Sequence, residues 1–332
     1  MNIIAEYGRE DLAKVYVAQI RGSTTYTAVS QQHLIEFVES IQPPYPREKK
    51  WVLIVSSMIG CPIQCQMCDA GGDFADLLTA DEILAQINYL VVKRYPTGRP
   101  TTEKFKIQFA RMGEPSLNPA VLEVLKRLPT YYPQEQLHIS LSTVAPQTPR
   151  VLRFFDQLRA IKDTYYTEGR FQLQFSIHTT DELARNRLIP VKKWSFTEIA
   201  TYGKKFSHPE HMDKKITLNF APVQGYQIDV EKLAEFFDPA YFLIKLTPVN
   251  PTVRSHEQHL ISAINPTNIQ SADTLLADFK KHGYDVILSI GELEENKIGS
   301  NCGQFVQRAL TAFTRPQHSY EIEQYGFLHH DQ

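Results

Sequence analysis

Three of the four cysteines in this 332-residue chain, Cys61, Cys65 and Cys68, fall within one stretch of eight residues. The fourth, Cys302, stands alone in the sequence GSNCGQF. The spacing C-x3-C-x2-C puts three thiols on one tight loop, directly after an apolar run at 51–57. Such a loop can hold a cubane of iron and sulfide at three corners and leave one iron open to a substrate or cofactor.

Structural zinc is the main alternative interpretation of this loop. Zinc sites of that kind take four ligands, usually as two separated pairs, and the chain has no second C-x2-C pair. Purely structural iron–sulfur clusters also use four cysteines as a rule. The loop therefore predicts a cluster with an open iron, with Cys61, Cys65 and Cys68 as its protein ligands.

The composition predicts a folded cytoplasmic protein. Apolar residues make up 42% of the chain and charged residues 22%, with a net charge of −2, so a sizeable core is expected and disorder is not. The sequence contains neither a recognisable signal peptide nor an apolar run of membrane-spanning length. A cytoplasmic monomer without membrane contact is expected.

The charge gives only local evidence for nucleic-acid binding. Proteins of that class usually carry a basic excess or a basic stripe, which the near-neutral total does not indicate. One stretch, ARNRLIPVKK, carries four basic residues and no acid, namely Arg185, Arg187, Lys192 and Lys193. These side chains can grip phosphates, although a solvated surface is the more common role of such a cluster.

Strand-like and helix-like segments alternate from residue 51 onward. The predicted strands are 51–57, 105–110, 137–143, 171–178, 215–223 and 241–249. The predicted helices are 79–94, 118–128, 148–163, 195–206 and 229–237. This alternation implies an α/β fold with a parallel sheet, and six units favour a partial (β/α)6 barrel, with a doubly wound sheet as the alternative. In both architectures the active site lies at the C-terminal ends of the strands.

The pattern divides the chain into a small N-terminal extension (1–50), a barrel with the Cys302 loop (51–312) and a C-terminal tail (313–332). The predicted elements outside the six barrel units are a hairpin of 13–20 with 25–32, a short helix at 32–41, a helix at 271–283, a strand at 285–291 and a last helix after Cys302.

The sequence CPIQCQMC, on the loop after the first barrel strand, resembles the signature of the radical S-adenosylmethionine (SAM) superfamily. The resemblance implies that Cys61, Cys65 and Cys68 hold a [4Fe–4S] cluster. It also implies that the amino and carboxylate groups of SAM chelate the open iron, and that an electron from the cluster cleaves SAM to a 5′-deoxyadenosyl radical.

Further matches stand at successive strand ends and narrow the resemblance. Over roughly residues 50–310 they resemble the radical SAM adenine C-methyltransferases of ribosomal and transfer RNA, with their antibiotic-resistance relatives. The matching segments are ARMGEPSLN (110–118), SLST (140–143), FSIHT (175–179), LTPVNP (246–251) and GSNCGQF (299–305).

The resemblance implies that Gly113 and Glu114 bind SAM, with Glu114 accepting its ammonium group. A glycine also lets the backbone approach a ligand closely. Four polar residues end apolar strands and are expected to converge on the same ligand, namely Ser142, Ser176, His178 and Asn250. Each of them taken alone has a commoner structural role, as a turn, cap or partly buried residue, so the prediction depends on their shared position.

Cys302 matches the residue that the resembling methyltransferases first methylate with one SAM. The radical from a second SAM takes a hydrogen atom from that methyl group, and the carbon radical adds to an adenine ring carbon. A second cysteine then releases the product by forming a disulfide. That cysteine is expected seven residues before Cys61, where this chain has Ile54, and release by thiol–disulfide exchange needs a thiolate.

The sequence therefore leaves three hypotheses. The first is methylation of an RNA adenine carbon through Cys302, with a flavodoxin-type protein as electron donor. The second is methyl or radical transfer to a small molecule or peptide, released without a second thiol. The third is a non-catalytic binding module, which predicts SAM binding without 5′-deoxyadenosine release. Glu36 stands near a position where the family keeps a proton acceptor, and no role is assigned to it.

Overall fold

The computed structural model describes residues 1–21, 33–41, 43–70, 72–291, 293–300 and 328–329. The strands are β1 (Asn2–Gly8), β2 (Ala13–Gln19), β3 (Leu34–Ser40), β4 (Lys50–Val55), β5 (Met58–Cys61), β6 (Gly72–Leu77), β7 (Lys104–Phe109), β8 (Leu137–Thr143), β9 (Phe171–Ser176), β10 (Ile216–Phe220), β11 (Phe242–Leu246), β12 (Val286–Leu288) and β13 (Leu328–His329). The α-helices are α1 (Ala80–Arg94), α2 (Ala120–Tyr131), α3 (Pro149–Tyr165), α4 (Glu182–Leu188), α5 (Phe196–Phe206), α6 (Val230–Ala234), α7 (Val253–Glu257), α8 (Asp273–Lys281) and α9 (Leu293–Ile298).

The parallel strands follow one another in chain order, as β4-β7-β8-β9-β10-β11-β12. A doubly wound sheet reverses its strand order at a switch point, and this sheet has no reversal among the described strands, so that alternative is wrong. The six predicted barrel strands are confirmed. The strand predicted at 285–291 is β12, and it adds a seventh parallel strand beside β11.

The N-terminal strands continue the same sheet in antiparallel pairing, in the order β4-β3-β2-β1-β13. The helix predicted at 32–41 is wrong, because this segment contains β3, and all seven residues of β3 are buried. A strand covered on both faces lacks polar–apolar alternation, and its acids, Glu36 and Glu39, lie opposite arginines. In place of the predicted hairpin, β2 pairs with β1 and β3. Segment 25–32 lies outside the described residues.

The helices begin where their capping residues predict. Thr79 and Ser195 each form a capping box with a glutamate three residues later, which satisfies backbone N–H groups at the helix start. Asn118 lies shortly before α2, and its side chain accepts the N–H of Ala120 at 3.0 Å. Its amide also donates to the carbonyl of Ser57 at 2.7 Å, so Asn118 ties α2 to the loop after β4.

The two faces of the parallel sheet differ in chemistry. On the face toward the helices, Trp51 stacks on Phe105 with ring centroids 5.3 Å apart, and Tyr132 after α2 meets Phe105 edge-on at 5.1 Å. On the opposite face, Lys106 of β7 hydrogen-bonds Gln172 of β9 at 3.4 Å. Because β8 lies between these two strands, the second face is concave, and we call the space it encloses the lumen.

None of the helices in the described part of the chain is both long and apolar enough to cross a membrane. The division at residue 50 stays a prediction, since β1–β3 and the barrel strands share one sheet. Cys302, the helix predicted after it and nearly all of the tail at 313–332 lie outside the described residues.

Candidate active site

The three-cysteine loop begins at Cys61, the last residue of the short strand β5 that follows β4, and is fastened to two other elements. The N–H of Gln66 donates to the carbonyl of Leu188 at the end of α4, at 2.9 Å. The hydroxyl of Thr252 donates to the carbonyl of Met67 at 3.0 Å. Asp69, directly after the last cysteine, accepts the first N–H groups of α7 at 3.0 and 2.9 Å. The loop is therefore held in one place by the surrounding fold.

The cysteine thiols are shielded from water to different degrees. Cys61 is buried, and Cys65 and Cys68 are partly buried. Burial raises the pKa of Cys61 to about 11 and that of Cys65 to about 12, and the nearby Glu114 carboxylate adds to both shifts. Backbone N–H groups, among them that of Gly113, hydrogen-bond the Cys61 sulfur and act in the opposite direction. Such N–H groups favour a sulfur that carries negative charge.

The donor set fits a cubane cluster. Within the described residues, no three Cys, His, Asp or Glu side chains converge on a point where one metal ion would bind. A cubane takes each thiolate at a separate corner, so its ligands need not converge on one point. In addition, Cys61, Cys65 and Glu114 bring acidic groups together in a buried place, which positive charge on a bound group would stabilise.

Glu114 is 4% exposed and held by four hydrogen bonds. Its Oε1 accepts from the N–H and hydroxyl of Ser116, at 3.1 and 2.6 Å, and from the hydroxyl of Thr143 at 2.5 Å. Its Oε2 accepts the N–H of Val144 at 2.9 Å. Burial raises the pKa of Glu114, although these hydrogen bonds act to lower it. A carboxylate oxygen accepts about two hydrogen bonds, so Oε2 retains capacity for one more donor.

Gly113 has a φ of +99° and lies close to the end of the neighbouring strand. A Cβ atom at this position would stand 2.6 Å from Cγ of Met58 and 2.8 Å from Oγ of Ser57. The close approach that requires glycine here is therefore to the protein itself. Contact between Gly113 and a ligand stays a prediction.

The remaining predicted SAM-binding residues lie along the same edge of the sheet. Ser142 is the penultimate residue of β8 and accepts a hydrogen bond from Gln174 at 3.3 Å. Ser176 ends β9. Asn250 lies in the loop after β11, where its carbonyl accepts the N–H of Thr252 at 2.8 Å. Ser142 and Ser176 lie at strand ends, whereas Asn250 lies four residues beyond the end of β11. Contact of these side chains with a ligand stays a prediction.

His178 has a defined tautomer. Its Nδ1 accepts the N–H of Ala221 at 3.1 Å, so the proton of the neutral ring is on Nε2. Burial, and next the charge of Arg185, lower the pKa of His178 to about 4. The side chain is therefore a neutral Nε2–H donor at physiological pH.

Ile54 lies on the lumen face of β4, in register with Gln108 of β7. It is 9% exposed and belongs to the core. The position where the resembling methyltransferases are expected to have the releasing cysteine therefore faces the inside of the barrel.

Arg111 is a residue of the site that sequence reasoning missed. Its Nε forms an ion pair with Oε1 of Glu36 at 2.9 Å, and both side chains are almost fully buried. Its Nη1 and Nη2 donate to the carbonyls of Ser300 and Gly299 at 2.8 and 3.0 Å. The signal available in the sequence was its place in ARMGEP, two residues before Gly113.

The basic stretch ARNRLIPVKK divides into interior and surface residues. Arg185 is buried, donates to the carbonyl of Trp194 at 3.0 Å and lies over the ring of Phe196. Lys193 is buried as well, and donates to the carbonyl of Ile189 at 3.0 Å. Arg187 and Lys192 are exposed, so only these two remain candidates for gripping phosphates.

The described residues thus form an open barrel wound in chain order, with three cysteines after its first parallel strand and a buried glutamate after its second. No family model matches the chain. The fold resembles a radical SAM methyltransferase from Sphaerobacter thermophilus, with a TM-score of 0.65 at 18% identity, covering 91% of this chain and 80% of that one. At that identity the likeness establishes the fold alone.

Curated relatives named as dual-specificity RNA methyltransferases RlmN, two of them as probable ones, match the sequence. The Frankia casuarinae protein is 26% identical over 87% of this chain and 65% of its own length. The Pseudothermotoga lettingae protein is 26% identical over 61% of this chain and 56% of its own length. The Marinobacter nauticus protein is 27% identical over 84% of this chain and 72% of its own length. The chain thus spans less than two thirds of the first two relatives.

Proposed function

We propose that the protein is a radical SAM methyltransferase that modifies an adenine carbon of RNA. The observation that carries the proposal is the fastened three-cysteine loop with the buried Glu114 carboxylate beside it. When bound, the [4Fe–4S] cluster supplies the electron for reductive cleavage of SAM. The names of the curated relatives support the methyltransferase reaction and the RNA substrate.

Different residues of this chain bind the cluster and SAM. Cys61, Cys65 and Cys68 hold the cluster. Glu114 accepts the ammonium group of SAM at Oε2, the oxygen that has capacity left. Ser142, Ser176, His178 and Asn250 are the polar groups that orient the rest of SAM, with the Nε2–H of His178 as a donor.

Cys302 is the proposed methyl carrier. It follows Ser300 by two residues, and a chain spans at most about 3.6 Å per residue. Because Arg111 ties Ser300 to the strand end that precedes Glu114, the tether supports a place for Cys302 within reach of the site.

The partners are part of the same proposal. RNA is expected to contact the exposed Arg187 and Lys192, near the cysteine loop. A flavodoxin-type protein is the proposed electron donor, and the proposed location is the cytoplasm, with the protein as a monomer.

Ile54 favours a second candidate, transfer to a small molecule or peptide. All four cysteines of the chain have assigned roles, so no thiol is left to release an RNA adduct by disulfide formation. An acceptor that leaves without such an attack fits a lumen lined by Ile54. This candidate keeps the cluster, SAM and Cys302 and changes only the substrate.

The deciding experiment is anaerobic reconstitution of the cluster, followed by addition of SAM and a reductant. We expect 5′-deoxyadenosine, and a methyl group on Cys302 by peptide mass spectrometry. Cys65→Ala is expected to lose iron and both products, while Cys302→Ala keeps the cluster. SAM binding without 5′-deoxyadenosine would identify a binding module, and an unmodified Cys302 would remove that residue from the mechanism.

The substrate class is tested in the same reaction with transfer RNA and ribosomal RNA fragments. RNA binding that weakens steeply with added salt, together with methyladenosine in the digested RNA, supports the first candidate. Absence of both, with Cys302 methylated as expected, favours the small-molecule or peptide candidate.

A further inference from the structure

A cluster of lysines lies in the lumen at the end of the barrel opposite the cysteine loop. Lys50 and Lys104 are the first residues of β4 and β7. Lys214 stands two residues before β10. Lys106 is two residues after Lys104 in β7, so both side chains point to the same face of the sheet. We call these four residues the lumen lysines. The five residue steps from Lys104 to Phe109, at about 3.3 Å each, put Lys104 about 17 Å from the strand end next to the SAM site, and Lys106 lies two steps closer.

The strand register brings these charges together. Lys50 and Lys104 are direct partners in the β4–β7 pair, on strands about 4.8 Å apart. Like charges placed directly opposite on neighbouring strands destabilise a sheet. Lys106 is the direct partner of His138 in the β7–β8 pair. The charge of Lys245 in β11 also acts on Lys106, although four strand spacings separate their strands, so the groups meet across the lumen.

The nearby carboxylates do not neutralise this charge. Glu103, Asp213 and Asp285 lie in sequence beside these strand starts, but they form ion pairs with Lys49, Lys162 and Lys215. Within the described residues, none of the lumen lysines forms an ion pair with a carboxylate. Among the described residues, the carboxylate of Glu295 in α9 acts on Lys50 through its charge.

The ionisation of the cluster reflects the uncompensated charge. Burial, and next the other lysines, lower the pKa of Lys106 to about 7 and that of Lys214 to about 8. The same causes lower the pKa of His138 to about 4, and its Nδ1 is buried without a hydrogen-bond partner among the described residues. Strongly shifted pKa values are concentrated at functional sites, where a bound ligand of opposite charge can stabilise the charged side chains.

We propose that this end of the lumen binds a small anion with several phosphate charges, held by Lys50, Lys104, Lys106 and Lys214 with His138. Ammonium groups on flexible stems bind phosphate as point charges, and a multivalent anion matches their number. The inward direction of the side chains, from strands that curve around the lumen, favours a pyrophosphate-sized group over a nucleic-acid strand. The site is independent of the proposed methyl transfer.

The test uses reconstituted full-length protein and pyrophosphate as the probe, with the visible absorption of the cluster followed to exclude iron extraction. Brief acetylation near pH 7.5, read by peptide mass spectrometry, reports the accessibility of each lysine. We expect pyrophosphate to slow acetylation of Lys106 at least fivefold and to leave the exposed Lys126 unchanged. Chloride at equal ionic strength should not protect Lys106.

Variants separate binding from folding. Lys106→Gln removes an uncompensated charge, so its melting temperature without anion should equal or exceed that of the parent protein. Its affinity for pyrophosphate by titration calorimetry should fall at least tenfold, whereas the control Lys126→Gln should bind as the parent does.

Three results would overturn the proposal. The first is equal acetylation of Lys106 with and without pyrophosphate. The second is protection by a short RNA but not by pyrophosphate, which would make the lumen a nucleic-acid site. The third is slow acetylation of Lys106 without any added anion that becomes fast in the double variant Glu321→Gln/Glu323→Gln. That result would show that the chain's own C-terminal carboxylates balance the charge of the lumen lysines.

Discussion

The guanidinium of Arg111 donates to the carbonyl of Ser300 at 2.8 Å, across 189 positions of the sequence. The same side chain forms a buried ion pair with Glu36. Arg111 therefore joins the N-terminal strand β3, the end of β7 and the segment that leads to Cys302. Under the proposed function, this tether limits how far Cys302 can lie from the strand end that precedes Glu114.

Arg111→Met is expected to lower the free energy of unfolding by about 3–5 kcal/mol, because it leaves the Glu36 carboxylate buried without its cation. Arg111→Met/Glu36→Leu should recover most of that loss, yet methylation of Cys302 per folded molecule should stay low. Urea unfolding and peptide mass spectrometry measure the two effects. Arg94→Met, which breaks the comparable buried pair with Glu39, is the control and should leave methylation unchanged; equal methylation in all variants would contradict the tether.

Asp69→Ala is expected to loosen the cysteine loop, because Asp69 accepts the first two N–H groups of α7. Loss of such a cap costs about 0.5–2 kcal/mol. Iron should pass to an added chelator at least three times faster than in the parent protein. Asp229→Ala removes the cap of another five-residue helix, α6, and should cost similar stability without faster iron release. Equal release from both variants would show that Asp69 acts only as a cap.

Glu114→Gln is expected to weaken SAM binding at least tenfold, because it removes the charge that would face the ammonium group under the proposed function. It also leaves the N–H of Val144 facing an amide group in place of Oε2, at a cost of about 1–3 kcal/mol. Ser116→Ala deletes one hydrogen bond to Glu114 but keeps its charge, so it should weaken SAM binding less than threefold. Calorimetric titration of reconstituted protein measures both, and an unchanged affinity in Glu114→Gln would remove this residue from the SAM site.

His178 is expected to make the protein less stable in acid. Its folded-state pKa of about 4 lies below the unfolded value of about 6.5, so the unfolded chain binds the extra proton as the pH falls through that interval. Between pH 7 and pH 5 this lowers the free energy of unfolding by about 2 kcal/mol. His178 has a φ of +66°, which asparagine tolerates, so urea unfolding of His178→Asn should show a correspondingly shallower loss. The exposed His211→Asn is the control and should follow the parent curve.

Local signals predicted much of the barrel and of its cysteine site. Runs of β-branched and aromatic residues marked the six strands, and Thr79 and Ser195 marked helix starts through capping contacts that span three residues. The same locality placed Cys61, Cys65 and Cys68 together, since eight residues cannot separate far. These features depend on residues that are neighbours in sequence, so they can be predicted from the amino-acid sequence alone.

Contacts between distant segments were beyond that reasoning. Segment 32–41 has the composition of an amphipathic helix, and it becomes β3 only because β2 and β4 flank it and arginines meet its acids. Nothing in their sequence positions distinguishes the four lumen lysines from ordinary lysines at or near strand starts. Only the register of β4 with β7, and the curvature of the sheet, bring them together inside the lumen.

The sequence by itself determined the order of strands and helices and the identity of the thiol loop, because periodicity, capping and short spacing are properties of neighbouring residues. The tertiary structure decided which residues share the lumen, which oxygen of Glu114 retains capacity for a donor and how Arg111 reaches Ser300. Those outcomes depend on strand register and burial, which combine distant segments, such as Arg111 and Ser300 at a separation of 189 positions, and have no local signature.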